Sequence, residues 1–278
     1  MESEFQRLKS LGWDMPSTND SGLFYKGPIS EDEISFPSGS YDGGDINHEA
    51  NGFWAIQRSN SVEGLLKKHG IKTLWEVGAG NGNMALPLRE KGISILPIEP
   101  LYAGAITLAK NGFPTFFSTL EMLSLPDGSI EAIGAFDVLE HLEAPEILIS
   151  EIFRVLKPNG FFVCSVPAYQ WLFSDFDLAI GHYRRYSQKS LKTLMQMNNF
   201  ENVRTLYLFG FLVPASLILR KIPFLLGRRR QFRQVHKSNQ IFGKYISILN
   251  PLFSLIILIE QKINLRIGLS IISIFVKK

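Results

Sequence analysis

The stretch LWEVGAGNGNMALPL, residues 74–88, decides the fold. An apolar run leads into Gly78, Gly80 and Gly82, and a helix-like segment follows. Glycines at such a bend permit positive φ angles and close approach of a ligand, and the following helix offers backbone N–H groups. The G-x-G-x-G spacing differs from the G-x-G-x-x-G spacing of dinucleotide-binding loops. Glu76, just before the loop, would repel a pyrophosphate and suits a cationic ammonium or sulfonium group instead.

Short apolar runs alternate with helix-like segments beyond this loop. The runs predict strands at 72–77, 93–98, 114–118, 131–138 and 160–167, with helices at 82–91, 102–111 and 144–156. Such alternation predicts a doubly wound α/β fold with a mostly parallel, Rossmann-like sheet. A helix at 53–68 that ends at Gly70 is predicted before the sheet.

The chain then continues with a helix at 187–198, for which Ser187 is the expected N-cap, and a strand near 201–209. Residues 269–278, LSIISIFVKK, predict a last strand, antiparallel and at the edge of the sheet. These elements give seven strands. The predicted units are a loop-rich segment with a cap helix at 1–70, a core at 71–209 plus 268–278, and a helical apolar insertion at 210–267.

The C-terminal part of the chain, which includes the insertion, has a large excess of positive charge. Residues 201–278 hold 13 Lys and Arg against 2 Asp and Glu, although the net charge of the chain is only +3. Two apolar segments, at 211–219 and 245–259, flank the basic run RRRQFRQVHK at 228–237. A bilayer-spanning helix needs roughly 20 apolar residues, and neither segment reaches that. Two alternatives remain open: an anchor that lies on an anionic membrane, or a helical cap packed on the core.

Length and composition exclude several protein classes. With 278 residues and 45% hydrophobic residues, the chain can bury a core of its own. One cysteine, Cys164, excludes an internal disulfide and a zinc site built on paired cysteines, and we expect it to fill the core. The first ten residues are charged and lack an apolar run, so we expect no signal peptide and a cytoplasmic protein. No metal site is predicted.

Acidic residues follow the predicted strands. Glu99 ends the second strand, Glu121 follows the third, and FDVLEHLEAPE (136–146) closes the fourth. A carboxylate at the position of Glu99 can accept hydrogen bonds from both ribose hydroxyls. All of these residues are placed at the carboxyl edge of the sheet, where open α/β sheets bind ligands.

Six motifs in this order resemble the class I S-adenosylmethionine-dependent methyltransferases. In chain order they are FWAIQR at 53–58, EVGAGNG, IEP, LEMLSLPDGS, FDVLEHLEAPE and GHYRRYS at 181–187. The first and the last are similar to the FWxxxR and GHxRRY segments of one broad subgroup. The resemblance covers about residues 50–210 and implies S-adenosylmethionine as the cofactor.

The resemblance also implies roles for single residues. The methionine part of the cofactor would be lined by Glu76, Gly78, Ala79, Gly80 and Gly82. Glu99, with Pro100 beside it, would hold the ribose hydroxyls. Glu121 would meet the adenine amino group, and Met122 would lie beside the ring. The alternative for each is a structural role: a tight turn for the glycines, an ordinary strand end or loop charge for the carboxylates, and core packing for Met122.

Transfer of an activated methyl group needs alignment, exclusion of water and, for a hydroxyl or amine acceptor, a base. His141 and His182 are placed on the acceptor side of this fold, and we predict them as catalytic residues. Structural roles, such as a helix cap, are the alternative for both. His48, His69 and His236 are expected to be solvated.

The GHYRRYS segment offers groups that could bind an anionic part of the acceptor. The predicted binding residues are Tyr183, Arg184, Arg185 and Tyr186, since arginine binds phosphate and carboxylate bidentately. One arginine could instead pair with Asp175 or Asp177 and only order the loop. Trp54 and Arg58 could help to close the site.

The sequence therefore predicts a methyltransferase that acts on a small or lipid-linked acceptor, with O- or C-methylation favoured. No nucleic acid partner is expected, because the basic stretch lacks the exposed aromatic platforms of single-strand binders. Peripheral association at the inner face of a membrane would follow from the anchor alternative. Two other functions stay open: a non-catalytic methyltransferase-like binding protein, and a nicotinamide-dependent oxidoreductase.

Overall fold

The computed structural model describes residues 2–18, 22–25, 52–228, 250–263 and 265–278. The strands in these ranges are β1 (Ser17–Thr18), β2 (Leu23–Tyr25), β3 (Thr73–Val77), β4 (Ser94–Glu99), β5 (Thr115–Phe117), β6 (Ile130–Phe136), β7 (Leu156–Pro167), β8 (Phe200–Leu208) and β9 (Ser270–Lys277). The helices are α1 (Glu2–Ser10), α2 (Phe53–Lys68), α3 (Ala85–Glu90), α4 (Tyr102–Lys110), α5 (Pro145–Val155), α6 (Asp175–Ala179), α7 (Gln188–Met197), α8 (Val213–Ser216), α9 (Ile222–Leu225) and α10 (Asn250–Lys262). A π-helical segment, Leu217–Lys221, joins α8 to α9.

The described strands form one sheet in the order β1-β2-β5-β4-β3-β6-β7-β9-β8. Strands β2 to β7 are parallel to one another, β1 is antiparallel to β2, and β9 is antiparallel to both β7 and β8. The chain leaves β3 toward β4 on one side and later returns to pair β6 with its other side. The carboxyl ends of β3 and β6 therefore meet at a topological switch point, where open α/β sheets bind ligands.

Both faces of the sheet are covered, as expected for parallel strands. On one face, Trp75 stacks on Phe116 with 5.2 Å between ring centroids. Its neighbour Leu74 packs on the opposite face, in a second apolar cluster that includes Phe53 of α2. Because successive residues of β3 are buried on opposite sides, the strand reads as an uninterrupted apolar run.

Two parts of the sheet differ from the sequence prediction. The segment predicted as loop contributes β1 and β2, which extend the sheet beyond β5 to nine described strands. With two and three residues, these strands are too short to show a period, although Leu23 is buried and Phe24 stacks on Phe116. The prediction of an edge position for the last strand was wrong. β9 lies between β7 and β8, because its apolar side chains are buried on both faces and both of its edges are hydrogen-bonded.

Helix α10 of the predicted insertion packs on the core, where the ring of Phe253 lies 5.4 Å from that of Phe53 in α2. Phe253 of α10 stacks on Phe211, and Ile257 is buried. The Glu260 carboxylate accepts hydrogen bonds from the backbone N–H groups of Gly210, at 3.1 Å, and Phe211, at 2.8 Å. None of the described helices is long and apolar enough to cross a membrane. Residues 26–51 of the predicted loop-rich segment and residues 229–249 of the predicted insertion, with His48 and His236, lie outside the described residues.

Candidate active site

A cavity of about 460 Å³ lies at the carboxyl ends of β3, β6 and β7. Helix α2 contributes Trp54 and Arg58 to its wall, α6 contributes Phe176, and the π-helical segment contributes Arg220. The residues predicted from the sequence that line it are Glu76, Gly78, Ala79, Gly80, His141, His182 and Arg185. Residues predicted for the cofactor and residues predicted for the acceptor thus share one cavity.

The glycine loop is closely packed against the end of β6. Gly78 has a φ of 67°, and its N–H donates a hydrogen bond to the Ile98 carbonyl at 2.8 Å. A Cβ at Gly78 would lie 2.7 Å from Cγ2 of Val138. Gly80 also has a positive φ, of 57°. Only glycine satisfies both the angle and the packing at position 78.

Glu76 points into the cavity from the end of β3. The residue is 2% exposed, and its Oε2 has no hydrogen-bond partner. Burial, together with the nearby charge of Glu99, raises the pKa of Glu76 to about 8. The side-chain oxygens of Asn81 and Asn83 are likewise buried without partners in the cavity wall. Because a buried polar group without a partner is costly, these oxygens suit a ligand that brings its own N–H donors and positive charge.

Glu99 lies behind the loop and does not line the cavity. Its carboxylate accepts hydrogen bonds from the N–H of Gly80 at 2.6 Å and the N–H of Leu101 at 2.8 Å. Burial raises the pKa of Glu99, although both backbone hydrogen bonds oppose that rise. Glu99 is therefore not a solvated strand end, because it anchors the glycine loop to β4.

Four other residues predicted for the cofactor also lie outside the cavity. Gly82 donates its N–H to the Ala79 carbonyl at 2.9 Å and so closes the turn that precedes α3. Glu121 is exposed, and Met122 and Pro100 are half-buried. Helix α3 begins at Ala85, three residues later than predicted, because the bend at Gly82 delays it.

An ion-pair network centred on Asp177 lies on the side of the cavity that carries the residues predicted for the acceptor, and we call this the acceptor side. The fully buried Asp177 carboxylate accepts hydrogen bonds from Nε of Arg185 at 2.7 Å and from Nδ1 of His182 at 3.0 Å. It also accepts the N–H of Ser174 in the capping box of α6. Burial favours a higher pKa, but the hydrogen bond from His182 and the Arg185 charge outweigh it and lower the pKa of Asp177. Because Nδ1 of His182 faces Asp177, Nε2 faces the cavity.

Glu140 and His141 lie beside His182. The His141 and His182 rings are 4.6 Å apart between centroids, and Nε2 of His182 is 3.8 Å from Oε1 of Glu140. Glu140 is 0% exposed, and neither carboxylate oxygen has a hydrogen-bond partner. Burial raises the pKa of Glu140 to about 8 and, with the neighbouring His182, lowers the pKa of His141 to about 3. The acceptor side therefore holds an imidazole that stays neutral at physiological pH.

Arg58 of α2 closes the cavity by pairing with Asp137. Asp137 follows β6 with a φ of 56°, a left-handed conformation that is unusual outside glycine. Its carboxylate also accepts the Ser165 hydroxyl at 3.0 Å. These two partners hold the residue in a strained conformation of the kind that clusters at functional sites.

Of the GHYRRYS segment, only His182 and Arg185 reach the cavity. Arg185 pairs with Asp177, which is the alternative that the sequence left open. Tyr183 is exposed, and Arg184 donates to the Glu143 carbonyl at 2.7 Å. Tyr186 is buried in the core and donates its hydroxyl to the Leu139 carbonyl.

Sequence reasoning assigned no role to several residues of the cavity wall. These are Asn83, Asp137, Glu140, Ser216 and Arg220. Asp137 and Glu140 stood inside a motif already singled out as a strand end, so their position was a usable signal. Ser216 and Arg220 lie in the segment predicted as an insertion, and no local pattern points them toward β3.

Comparison with known proteins places the chain in a family. Residues 52–205 match the methyltransferase-domain family. An uncharacterised methyltransferase of Mycobacterium tuberculosis is 30% identical over 118 residues, which cover 40% of this chain and 46% of that protein. The chain thus spans about half the length of the curated relatives that it matches.

Two solved structures share the fold. A SAM-dependent methyltransferase from Archaeoglobus fulgidus superposes with a TM-score of 0.50 at 15% identity, covering 79% of this chain and 94% of that one. A phosphoethanolamine N-methyltransferase of Haemonchus contortus, in complex with S-adenosyl-L-methionine, gives 0.51 at 13% identity, covering 87% and 61%. The family match extends over more than half of the residues, and the sheet order agrees with it. The chain belongs to the methyltransferase-domain family and has the fold of the class I S-adenosylmethionine-dependent methyltransferases.

Proposed function

We propose that this protein binds S-adenosylmethionine beside the glycine loop and transfers its methyl group to a small or lipid-linked acceptor. The observation that carries the proposal is the Glu76 carboxylate, which is buried, lacks a partner at Oε2 and lines the cavity. A ligand with an ammonium group would supply the missing donor and the missing positive charge. A diphosphate would leave Glu76 facing a like charge.

Further residues would complete the cofactor site. The backbones of Gly78, Ala79 and Gly80 would follow the methionine part, and Gly82 would hold the turn. Glu99, beside Pro100, would accept the ribose hydroxyls, while Glu121 and Met122 would bind the adenine. The methyl group on a sulfonium is already activated, so the protein mainly has to align the acceptor and exclude water.

The acceptor would bind between the glycine loop and the Asp177 network. Asp177 fixes the His182 ring so that Nε2 faces the cavity, an arrangement that orients a general base. We propose that His182 takes the proton of an acceptor hydroxyl or amine, with His141 packed beside it to orient the acceptor. Arg185 would attract negative charge on the acceptor at longer range and would not bind it bidentately, because its Nε already donates a hydrogen bond to Asp177.

An apolar surface beside the cavity favours a lipid-linked acceptor. The segment 217–226 places Arg220 in the cavity wall and exposes Ile218, Leu219, Leu225 and Leu226 by 57–82%. In the sequence, Lys221 lies between these apolar residues and Arg228 follows them. Exposed apolar groups beside basic ones are typical of surfaces that rest on anionic lipid. We propose that this segment holds the cavity mouth against a membrane.

Calorimetric titration with S-adenosylmethionine tests the cofactor. We expect Glu76→Gln to weaken binding at least tenfold, because a hydrogen bond to a charged group contributes about 1.5–3 kcal/mol. Glu146→Gln, an exposed carboxylate on α5, is the matched control and should bind like wild type. Binding of NADH in place of S-adenosylmethionine would contradict the proposal and favour the oxidoreductase.

Transfer of labelled methyl groups into cell extract tests the acceptor. The label should enter the lipid or small-molecule fraction. Label confined to macromolecules would contradict this acceptor class. Cofactor binding without any transfer would favour the non-catalytic alternative.

Flotation with vesicles that contain phosphatidylglycerol tests the membrane contact. The double variant Leu225→Ser, Leu226→Ser should float less than wild type. Met197→Ser on α7, where the side chain is 79% exposed, should float like wild type. Equal flotation of all three proteins, or none by wild type, would contradict the membrane proposal.

A further inference from the structure

Three side chains of different chemistry converge on the acceptor side of the cavity. Glu140, His141 and His182 each place one potential ligand atom within 4.8 Å of the others. Two ligand atoms of one tetrahedral zinc ion lie about 3.4 Å apart, since a Zn–N distance is about 2.1 Å. Nε2 of His182 and Oε1 of Glu140, at 3.8 Å, are close to that separation. Side-chain movements of about 1 Å would bring all three atoms onto one ion.

Among the described residues, no arginine or lysine forms an ion pair with Glu140. It is fully buried without a hydrogen bond to either oxygen, and it lines the cavity. The two nearby arginines are already engaged, Arg58 with Asp137 and Arg185 with Asp177. Ionisation of a carboxyl group buried in this way is costly without a partner, and a bound metal ion is one of the few partners that fit.

Outer-shell partners already orient both imidazoles. Nδ1 of His182 bonds to the Asp177 carboxylate at 3.0 Å, which leaves Nε2 for the side of Glu140. His141 is hydrogen-bonded to the backbone of Gly181. Histidines that ligate metals usually donate their other N–H to a carboxylate or a backbone carbonyl, which fixes the tautomer and the ring orientation.

We propose that Glu140, His141 and His182 form a binding site for a divalent first-row transition metal ion of the Zn²⁺ type. Two imidazoles and one carboxylate favour such ions over Mg²⁺ and Ca²⁺, which prefer oxygen ligands alone. Three protein ligands leave at least one coordination position, and here it would face the cavity. The site goes beyond the proposed methyl transfer. During methyl transfer, a bound metal would lower the pKa of the acceptor's hydroxyl or amine group, whose proton would leave to water, and His182 would be a metal ligand instead of the base.

Zinc binding to tag-free protein tests the site. After dialysis against a chelator, wild type is titrated with ZnCl₂ by calorimetry, with MgCl₂ as the comparison ion. CoCl₂ provides a second readout, because visible absorption reports its coordination. We expect one Zn²⁺ per chain and no measurable Mg²⁺ binding. Glu140→Gln should lower the zinc affinity at least tenfold, and Asp177→Asn should lower it by roughly 10–100-fold through His182.

His69→Ala is the matched control, since this histidine packs on Phe161 away from the cavity. It should bind zinc like wild type. Glu140→Gln keeps the shape of the side chain, and circular dichroism would check that it folds. No zinc binding by wild type, or wild-type affinity in Glu140→Gln, would overturn the metal site. Titration of the same samples with S-adenosylmethionine separates this outcome from failure of the proposed function.

Discussion

The carboxylates on the two sides of the cavity differ in their partners. The cofactor-side pair, Glu76 and Glu99, forms none of the ion pairs found among the described residues. Within the described ranges, the hydrogen-bond donors to this pair are the backbone N–H groups of Gly80 and Leu101, and both donate to Glu99. On the acceptor side, Asp137 and Asp177 each pair with an arginine.

This difference separates carboxylates that the chain itself satisfies from those with oxygens that lack a hydrogen-bond partner among the described residues. Asp177 is satisfied by the chain itself, so its removal should mainly cost stability. Glu76 is not satisfied by the chain, so its removal should mainly cost binding. Glu140 lies on the acceptor side and yet resembles Glu76, because both of its oxygens lack hydrogen bonds.

The largest expected effect is that of Asp177→Ala. Removing one partner of a buried ion pair leaves Arg185 uncompensated, which lowers the free energy of unfolding by about 3–5 kcal/mol. Asp127→Ala breaks an exposed pair with Arg154, where Asp127 is 80% exposed, and should lower it by about 1 kcal/mol or less. Urea denaturation measures both. Equal losses would show that burial of the Asp177–Arg185 pair does not increase its contribution to stability.

Gly78→Ala should have the next largest effect. We expect it to lower the free energy of unfolding by about 2–4 kcal/mol, because of the positive φ at this position and the contact of the added Cβ with Val138. Gly92→Ala has a φ of 85° but no atom within 4 Å of the added Cβ. Its loss should be about 1–2 kcal/mol, from the backbone alone. Thermal denaturation distinguishes the two variants. A Gly92 variant as unstable as the Gly78 variant would show that the packing of the loop on β6 adds nothing.

The smallest effect is a pH dependence caused by Glu76. Its folded-state pKa is raised to about 8 from an ordinary value of 4.5, so the folded protein holds an extra proton between these values. Stability should therefore fall as pH rises through this window. Glu99 changes in the same direction, and the difference between wild type and Glu76→Gln isolates Glu76.

At pH 8 we expect Glu76→Gln to be more stable than wild type by about 1 kcal/mol or more in the absence of ligand. Urea denaturation across pH 5–8 measures this. A variant less stable than wild type at every pH would mean that Glu76 has a stabilising partner in the folded protein. S-Adenosylmethionine should flatten the wild-type slope, because its ammonium group favours the ionised carboxylate.

Much of the fold could be predicted because its signals are local. The apolar runs of β3 and β4 and the glycines at 78, 80 and 82 are visible in any short window of sequence. The position of β9 was not visible, because an apolar run shows burial but not which strands lie on either side. β1 and β2 were missed since two or three residues cannot show a period.

The candidate site divides in the same way. Glu76, His141 and His182 could be named because strand ends and motifs mark them. The pairing of Arg185 with Asp177 could only be left as an alternative, since spacing along the chain does not fix a side-chain direction. Arg220 reaches the cavity from a segment with no regular relation to the sheet, so only the tertiary structure shows its place.

The interior position of β9 has a consequence for the order of folding. Leu269 and Ser270, at the start of this strand, form part of the cavity wall, and β8 joins the sheet only through β9. During synthesis, the cavity wall therefore stays incomplete until residues 269–277 have left the ribosome and have inserted between β7 and β8. Such late, long-range pairing is slow, and until it happens the exposed edge of β7 is open to other chains. A ribosome-bound chain that has already formed the glycine loop but lacks β9 would therefore have an incomplete cavity.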